Sequence, residues 1–176
     1  MSEECDKRKD LLNRMLAAYK SYYDIRRDYL YEGRYFPAFA EFHTYGEQYV
    51  LTKRAKLWEV NTHDFMFFEL ADQLDEQLLD DLVEFMKTKA IRKVDASANH
   101  MSSALTLVII ANSCSDEAFK RVKSIRFRKN FYLGLCGWSD LRLAVLDLSR
   151  SVTEAVVTNA AGKKLKEALT SNLALM

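Results

Sequence analysis

The sequence predicts an α+β fold in which a mostly antiparallel sheet packs against helices. Apolar residues recur at helical spacing near the N-terminus, alternate further along as in strands, and return to helical spacing after position 75. One proline and five glycines leave no linker-like stretch within the 176 residues. Hydrophobic residues make up 49% and charged residues 29%, a balance typical of globular proteins. We therefore expect a single α+β domain over residues 1–176.

The N-terminal part is predicted to form one long helix and then a sheet. Apolar and aromatic residues at helical spacing predict a helix over about Lys7–Leu30, with Gly33 and Pro37 marking its end. Alternating segments after it predict a three-stranded antiparallel meander. Its strands are expected near residues 39–44, 48–60 and 65–70.

Two polar residues mark the starts of later helices. Asp75 precedes an amphipathic stretch, and Ser115 precedes a shorter stretch with acidic residues in its first turn. Such side chains accept hydrogen bonds from the free N–H groups of a first helical turn. Between the two predicted helices, the β-branched run Ala104–Ala111 predicts a strand.

The C-terminal third is predicted to contain two or three strands and a last helix. Strands over Phe127–Cys136 and Leu141–Leu148 would flank a turn at residues 137–140. Ala155–Thr158 is a further candidate strand, and Asn159 is expected to cap a helix that runs to about position 169.

Cysteine usage and hydropathy argue against export and against membrane insertion. The three cysteines are odd in number and form no CxxC pair, which favours free thiols in a reducing compartment. The N-terminus is charged rather than apolar, unlike a signal peptide. The longest apolar run, Leu105–Ala111, is far shorter than the roughly 20 residues of a spanning helix. We expect a cytoplasmic protein that is not associated with membranes.

Charge is unevenly distributed although the net charge is only +1. Residues 59–84 contain nine acidic residues and no lysine or arginine, whereas six of residues 120–129 are basic. Three interpretations remain open: the segments neutralise each other within the fold, they mediate self-association, or the basic one binds a phosphate-rich partner. The basic residues are Lys120, Arg121, Lys123, Arg126, Arg128 and Lys129.

Aromatic residues near the basic segment extend the nucleic-acid hypothesis. Tyr132 or Trp138 could provide a stacking surface for a base beside Arg126 and Arg128, as in proteins that bind single strands. The chain carries no RNP signature, GxxG loop, zinc-finger spacing or helix-turn-helix pattern. Nucleic acid is therefore a weaker prediction than a protein partner.

Acidic residues and histidines in the meander are the best candidate metal ligands. Glu41, His43, Asp64 and Glu69 could meet if a hairpin joined their strands. The order helix, three strands, helix, strand also resembles that of the PD-(D/E)xK nucleases. That family needs a lysine two positions after its glutamate, whereas Ala71 follows Glu69 at this distance. We expect no resident metal and no cofactor.

Several short segments are similar to an uncharacterised family of bacterial proteins. The segments are Tyr23–Tyr29, Tyr49–Lys53, Lys56–Trp58, His100–Ser102, Gly137–Trp138 and Thr158–Asn159. The resemblance spans nearly the whole chain and implies a bacterial, cytosolic setting without an assigned activity. Its polar positions are further candidate site residues: Arg26, Arg27, Lys53, Lys56, Trp58, His100 and Asn159.

Two functional hypotheses follow from the sequence. The favoured one is a non-catalytic binding or interaction domain that uses the basic and aromatic surface around Arg126 to Trp138, and a homodimer is one form that it could take. The alternative is a metal-dependent, nuclease-like hydrolase built on Glu41, His43, Asp64 and Glu69. The alternative requires at least three of these side chains to converge on one point.

Overall fold

The computed structural model describes residues 6–42, 62–94, 102–135 and 137–174. These residues contain four α-helices and seven strands of one sheet. The helices are α1 (Lys7–Tyr19), α2 (Glu76–Thr88), α3 (Asp116–Val122) and α4 (Leu165–Ala174). The strands are β1 (Asp24–Tyr31), β2 (Arg34–Phe42), β3 (Thr62–Leu74), β4 (Ser102–Cys114), β5 (Arg128–Asn130), β6 (Trp138–Asp147) and β7 (Val156–Thr158).

The sheet is mixed, so the expected mostly antiparallel sheet is confirmed only in part. Its order is β1-β2-β3-β4-β6-β5, and β7 also pairs with β6. An antiparallel meander is present as β1, β2 and β3 and fits the predicted one in part, but β3, β4 and β6 are mutually parallel. Parallel neighbours need a crossover connection, and the chain segments that contain α2 and α3 provide the two crossovers.

Strand β4 lies at the centre of the molecule and has apolar residues on both faces. Leu107 and Ile109 pack into the core beneath α2 and α3. Val108 and Ile110 pack into the opposite core beneath α1 and α4. Strands covered on both faces read as continuous apolar runs, which is why the predicted strand Ala104–Ala111 is found within β4. None of the described helices is long and apolar enough to cross a membrane.

The first helix is shorter than predicted, and the residues after it form a strand. Helix α1 ends at Tyr19, whereas the prediction extended it to about Leu30. Glu32 and Gly33 have φ angles of 48° and 79°, values that suit a two-residue turn between antiparallel strands. Gly33 therefore marks the β1–β2 hairpin, and pairing with β2 overrides the helical spacing of the tyrosines.

The meander strands coincide only in part with the predicted ones. The strand expected near residues 39–44 overlaps the end of β2, and the strand expected near 65–70 lies within β3. The strand expected over residues 48–60 falls outside the described residues. The antiparallel pairing of β2 and β3 was therefore predicted correctly, whereas the residues of β1 were assigned to the preceding helix.

Two of the three predicted helix caps, Asp75 and Ser115, are confirmed. The Asp75 carboxylate accepts a hydrogen bond from the Leu78 N–H at 2.8 Å, at the start of α2. The Ser115 hydroxyl accepts one from the Ala118 N–H at 3.2 Å, at the start of α3. Caps depend on residues three positions apart, so the local sequence was sufficient to predict them.

The strands of the C-terminal third differ from their predicted bounds. Strand β5 has three residues, and the predicted turn at residues 137–140 mostly belongs to β6. Residues Arg128–Asn130 pair with Trp138–Asp140, which draws these residues into the sheet. The candidate strand at 155–158 is confirmed as β7.

Asn159 completes the β6 edge and does not cap α4, which begins six residues later. Its Oδ1 accepts hydrogen bonds from the N–H groups of Leu143 at 3.0 Å and Gly162 at 2.9 Å. Its Nδ2 donates to the carbonyls of Leu141 at 2.9 Å and Ile125 at 3.2 Å. These four bonds use the full capacity of a carboxamide and fill the gap between β5 and β7 on β6.

Gly162 allows the chain to pass close to β6. A Cβ atom at this position would lie 2.8 Å from the carbonyl oxygen of Leu143 and 3.0 Å from Oδ1 of Asn159. Because both atoms are held by hydrogen bonds or by the strand, the neighbours have little room to move. A glycine at this position is therefore needed for the turn that follows Asn159.

Replacing the buried carboxamide should destabilise the protein strongly. We expect Asn159→Ala to lower the free energy of unfolding by about 3 kcal/mol, because it leaves several buried backbone groups unpaired. Urea denaturation monitored by circular dichroism measures the change. Asn13→Ala, at an exposed position of α1, is the control and should change stability by less than about 1 kcal/mol. Equal effects of the two substitutions would contradict the structural role of Asn159.

Candidate functional site

A buried polar cluster lies near the N-terminal ends of the three parallel strands. Asp64 comes from β3, Thr106 from β4 and Arg142 from β6, and Tyr23 follows helix α1. The strand register aligns Thr106 with Arg142. Asp64 aligns with Ala104, two residues before Thr106, and is therefore on the same face of the sheet. The side chains therefore share the sheet face that α1 and α4 cover further along the strands.

Asp64 is the centre of this cluster. Its carboxylate accepts hydrogen bonds from the Thr106 hydroxyl at 2.9 Å and the Tyr23 hydroxyl at 3.2 Å. The Arg142 guanidinium lies 3.7 Å from the carboxylate. Burial raises the pKa of Asp64, while Arg142 and then the two hydroxyls act in the opposite direction. Burial and the nearby carboxylate also raise the pKa of Tyr23.

A buried carboxylate beside a cation occurs both in functional sites and in structural networks. Asp64 is only 3% exposed and Thr106 is fully buried, so neither side chain offers a surface to a ligand from solvent. The cluster joins three strands and the Tyr23 segment through one carboxylate. Its geometry supports a structural role for Asp64, one of the four residues on which the hydrolase hypothesis rests.

The other predicted metal ligands do not join Asp64. Alternation along β3 places Glu69 on the opposite face, where its carboxylate lies 3.7 Å from Arg34. Glu41 aligns with Phe65 on that same opposite face, four strand positions from Glu69. His43 lies outside the described residues. Within the described part of the chain, no three His, Cys, Asp or Glu side chains are arranged to hold a metal ion.

Two arginines of the basic segment are paired with acidic residues. Arg121 contacts both carboxylate oxygens of Asp80 on α2, at 2.8 and 2.9 Å. Arg128 contacts both oxygens of Asp140 on β6, at 2.6 and 2.8 Å. The first pair links the acidic segment to the basic one, which supports the interpretation that they partly neutralise each other. Lys120, Lys123, Arg126 and Lys129 are partly or fully exposed.

An apolar surface follows the basic segment, and the sequence predicted only its two aromatic residues. We use this name for Tyr132, Leu133, Leu135 and Trp138, which are 71%, 101%, 86% and 42% exposed. The prediction placed residues 127–136 in one strand with alternating inward side chains. Instead β5 ends at Asn130, and Tyr132 and Leu133 have positive φ angles of 47° and 56°. Consecutive apolar residues beside Gly134 and Gly137 were the available signal for an exposed loop.

Cationic side chains contact aromatic rings at the base of the apolar surface. The Arg128 guanidinium lies 5.6 Å from the centre of the Trp138 ring. The Lys129 ammonium lies 5.4 Å from the centre of the Phe131 ring. Such contacts orient the rings and keep the charge beside them. Of the predicted binding residues, Arg128 and Trp138 therefore contact each other, whereas Lys129 contacts Phe131 on the other face of β5.

The remaining candidate positions have other roles or are not described. Arg27 donates a hydrogen bond to Asn13 at 2.7 Å, and Arg26 lies 4.0 Å from Glu41. The other positions, Lys53, Lys56, Trp58 and His100, lie outside the described residues.

The raised pKa of Asp64 predicts a pH-dependent stability difference. The folded protein retains a proton on Asp64 at pH values above 3.8, the ordinary pKa, where the unfolded chain releases it. The contribution of Asp64 to stability is therefore greatest below this value and decreases as the pH rises towards the raised pKa. Relative to Asp64→Asn, the wild type should lose unfolding free energy as the pH rises above 3.8. A difference that is constant with pH, measured by urea denaturation, would contradict the raised pKa.

Comparison with known proteins identifies a family but no activity. The model of a domain of unknown function, DUF8052, matches residues 7–171. This range includes every helix and strand described above, apart from the last turn of α4. No curated protein and no solved structure gives a significant match to the chain. The chain therefore belongs to the DUF8052 family, which confirms the expected membership in an uncharacterised family.

Proposed function

We propose that the chain is a non-catalytic binding domain for an extended, acidic protein segment that also carries apolar residues. The binding surface consists of strand β5, the apolar surface and the exposed cations Arg126 and Lys129. One observation carries the proposal: four large apolar side chains are exposed together directly after β5. Exposed apolar patches bordered by polar residues are typical of protein interaction sites.

Charge beside the apolar surface favours an acidic partner. Arg126 and Lys129 are exposed, and no acidic side chain in the described ranges forms an ion pair with either of them. Arg128 is already neutralised by Asp140. Two uncompensated cations that lie close to the apolar surface along the chain complement a segment that alternates acidic and apolar residues.

The sheet edge favours an extended partner. Among the described strands, β5 pairs only with β6 and ends the sheet on that side. Its other edge leaves backbone N–H and C=O groups for a further strand. An extended segment that adds to such an edge gains backbone hydrogen bonds, and its alternate side chains reach the neighbouring surface. Leu133 and Leu135 lie close to that position in the chain.

Nucleic acid is a weaker candidate partner at the same surface. Stacking on Trp138 would compete with its contact to Arg128, and Arg121 and Arg128 already hold carboxylates. Backbone phosphates require several free cations in a row.

Self-association and hydrolysis are also weaker candidates. A second copy of this chain would have to supply the acidic residues from residues 59–84, of which Asp80 is engaged by Arg121. The hydrolase hypothesis has no support from the described acidic residues, because they lie on opposite faces of the sheet.

Selection from a random peptide library displayed on phage tests the proposal directly. We expect enriched peptides in which acidic and apolar residues alternate. A synthetic enriched peptide should bind the protein in fluorescence anisotropy, and Leu133→Ser should weaken binding about tenfold or more, because exposed apolar anchors dominate such interfaces. Leu30→Ser is the matched control, since Leu30 is 69% exposed on β1 at the opposite sheet edge.

Three outcomes would contradict the proposal. One is a selection that enriches no acidic and apolar pattern. Another is an equal loss of binding in Leu133→Ser and Leu30→Ser. The third is a thymidine oligonucleotide or a second copy of the chain that binds this surface more tightly than the selected peptide, measured by anisotropy and by analytical ultracentrifugation respectively.

A further inference from the structure

A concave surface lies beyond the outer edge of β6, on the side away from β4. It is a cleft of about 560 Å³ between α3, β7 and the start of α4. Lys123, Lys163 and Lys166 line it, together with the hydroxyl-bearing residues Thr153 and Thr158. Cavities that hold small ligands have volumes of roughly 300–1,000 Å³. The cleft is therefore large enough for a small organic molecule.

The cleft carries an excess of positive charge. No acidic side chain of the described ranges forms an ion pair with any of the three lysines. Arg150 also lines the cleft, but its guanidinium is held by Asp147 at 2.8 Å and Asp116 at 2.6 Å. Glu154 is the one acidic residue among the lining side chains. Three lysines against one glutamate leave the cleft cationic.

The position of the lysines on α4 adds a second argument. Lys163 and Lys164 precede the first residue of the helix, and Lys166 is its second residue. Positive side chains at a helix N-terminus oppose the helix dipole and lower helix stability. A bound anion would remove this repulsion, so the arrangement favours anion binding over helix stability.

Asn159 fixes the two walls of the cleft relative to each other. Its Nδ2 holds the carbonyl of Ile125, two residues after Lys123, and its Oδ1 holds the N–H of Gly162, next to Lys163. The lysine-bearing turns are thus joined by one buried side chain before any ligand arrives. Preorganised walls reduce the entropy lost on binding.

We propose that this cleft binds a small organic phosphate with two or more negative charges, such as a nucleoside diphosphate. The Lys123, Lys163 and Lys166 ammonium groups would contact the phosphates, and the threonine hydroxyls would donate further hydrogen bonds. Lys cations bind phosphate as point charges, without the bidentate geometry of arginine. This site is separate from the apolar surface and does not depend on the proposed protein partner.

Isothermal titration calorimetry of the full chain with pyrophosphate and with ADP tests the site. We expect saturable binding that Lys163→Gln or Lys166→Gln each weakens about tenfold, a loss of one charge-assisted contact. Lys164→Gln is the matched control, because it removes the same charge from the neighbouring exposed position that does not line the cleft. It should change the dissociation constant by less than about twofold.

Each remaining outcome would overturn the proposal. Absence of binding for both probes excludes an organic phosphate site. Equal losses in Lys164→Gln and Lys163→Gln show diffuse charge attraction without a site. A thymidine oligonucleotide that binds more tightly than ADP, with the same dependence on Lys163 and Lys166, identifies the source of the phosphate as a nucleic acid backbone and contradicts a small ligand.

Discussion

The carboxamide of Asn159 is the contact on which the C-terminal half of the structure depends. Strand β6 is long, but its outer edge is covered by two short strands, β5 and β7, with a gap between them. The four hydrogen bonds of Asn159 fill this gap without a backbone strand. They also join the turn after α3 to the turn before α4. One side chain thereby sets the relative positions of a sheet edge and two connections.

The two edges of the sheet are organised in different ways. On the β1 side, the Lys93 ammonium lies 4.7 to 5.3 Å from the ring centres of Phe39, Tyr31 and Tyr29, so a cation covers aromatic groups that would otherwise be exposed. On the β5 side, the cations lie beside the aromatic base, and the outer leucines are uncovered. Strand β1 exposes Leu30, whereas four large apolar side chains are exposed next to β5, and this difference favours a partner at β5 over one at β1.

Local signals predicted local structure, and long-range pairing limited the rest. Asp75 and Ser115 were correctly assigned as caps because a cap and its donor are three residues apart. The helical spacing of the tyrosines extended α1 too far, because β1 is stabilised by a partner strand that begins beyond Gly33. Parallel pairing of β3, β4 and β6 joins residues separated by about 35 to 40 positions, a relation that periodicity does not contain. The sequence could not place the acidic residues of the metal hypothesis for a similar reason. Alternation decides which sheet face a side chain occupies, but it can be applied only when the exact strand positions are known.

The position of β7 and Asn159 late in the sequence also has a consequence for biosynthesis. The ribosome makes β3 and β4 well before residues 156–162, so the central parallel pair exists as nascent chain while the outer side of β6 has no cover. An uncovered strand edge can pair with other chains. Completion of the fold thus waits for a short, late segment, and the outer edge of β6 is open to pairing with other chains until that segment has been made.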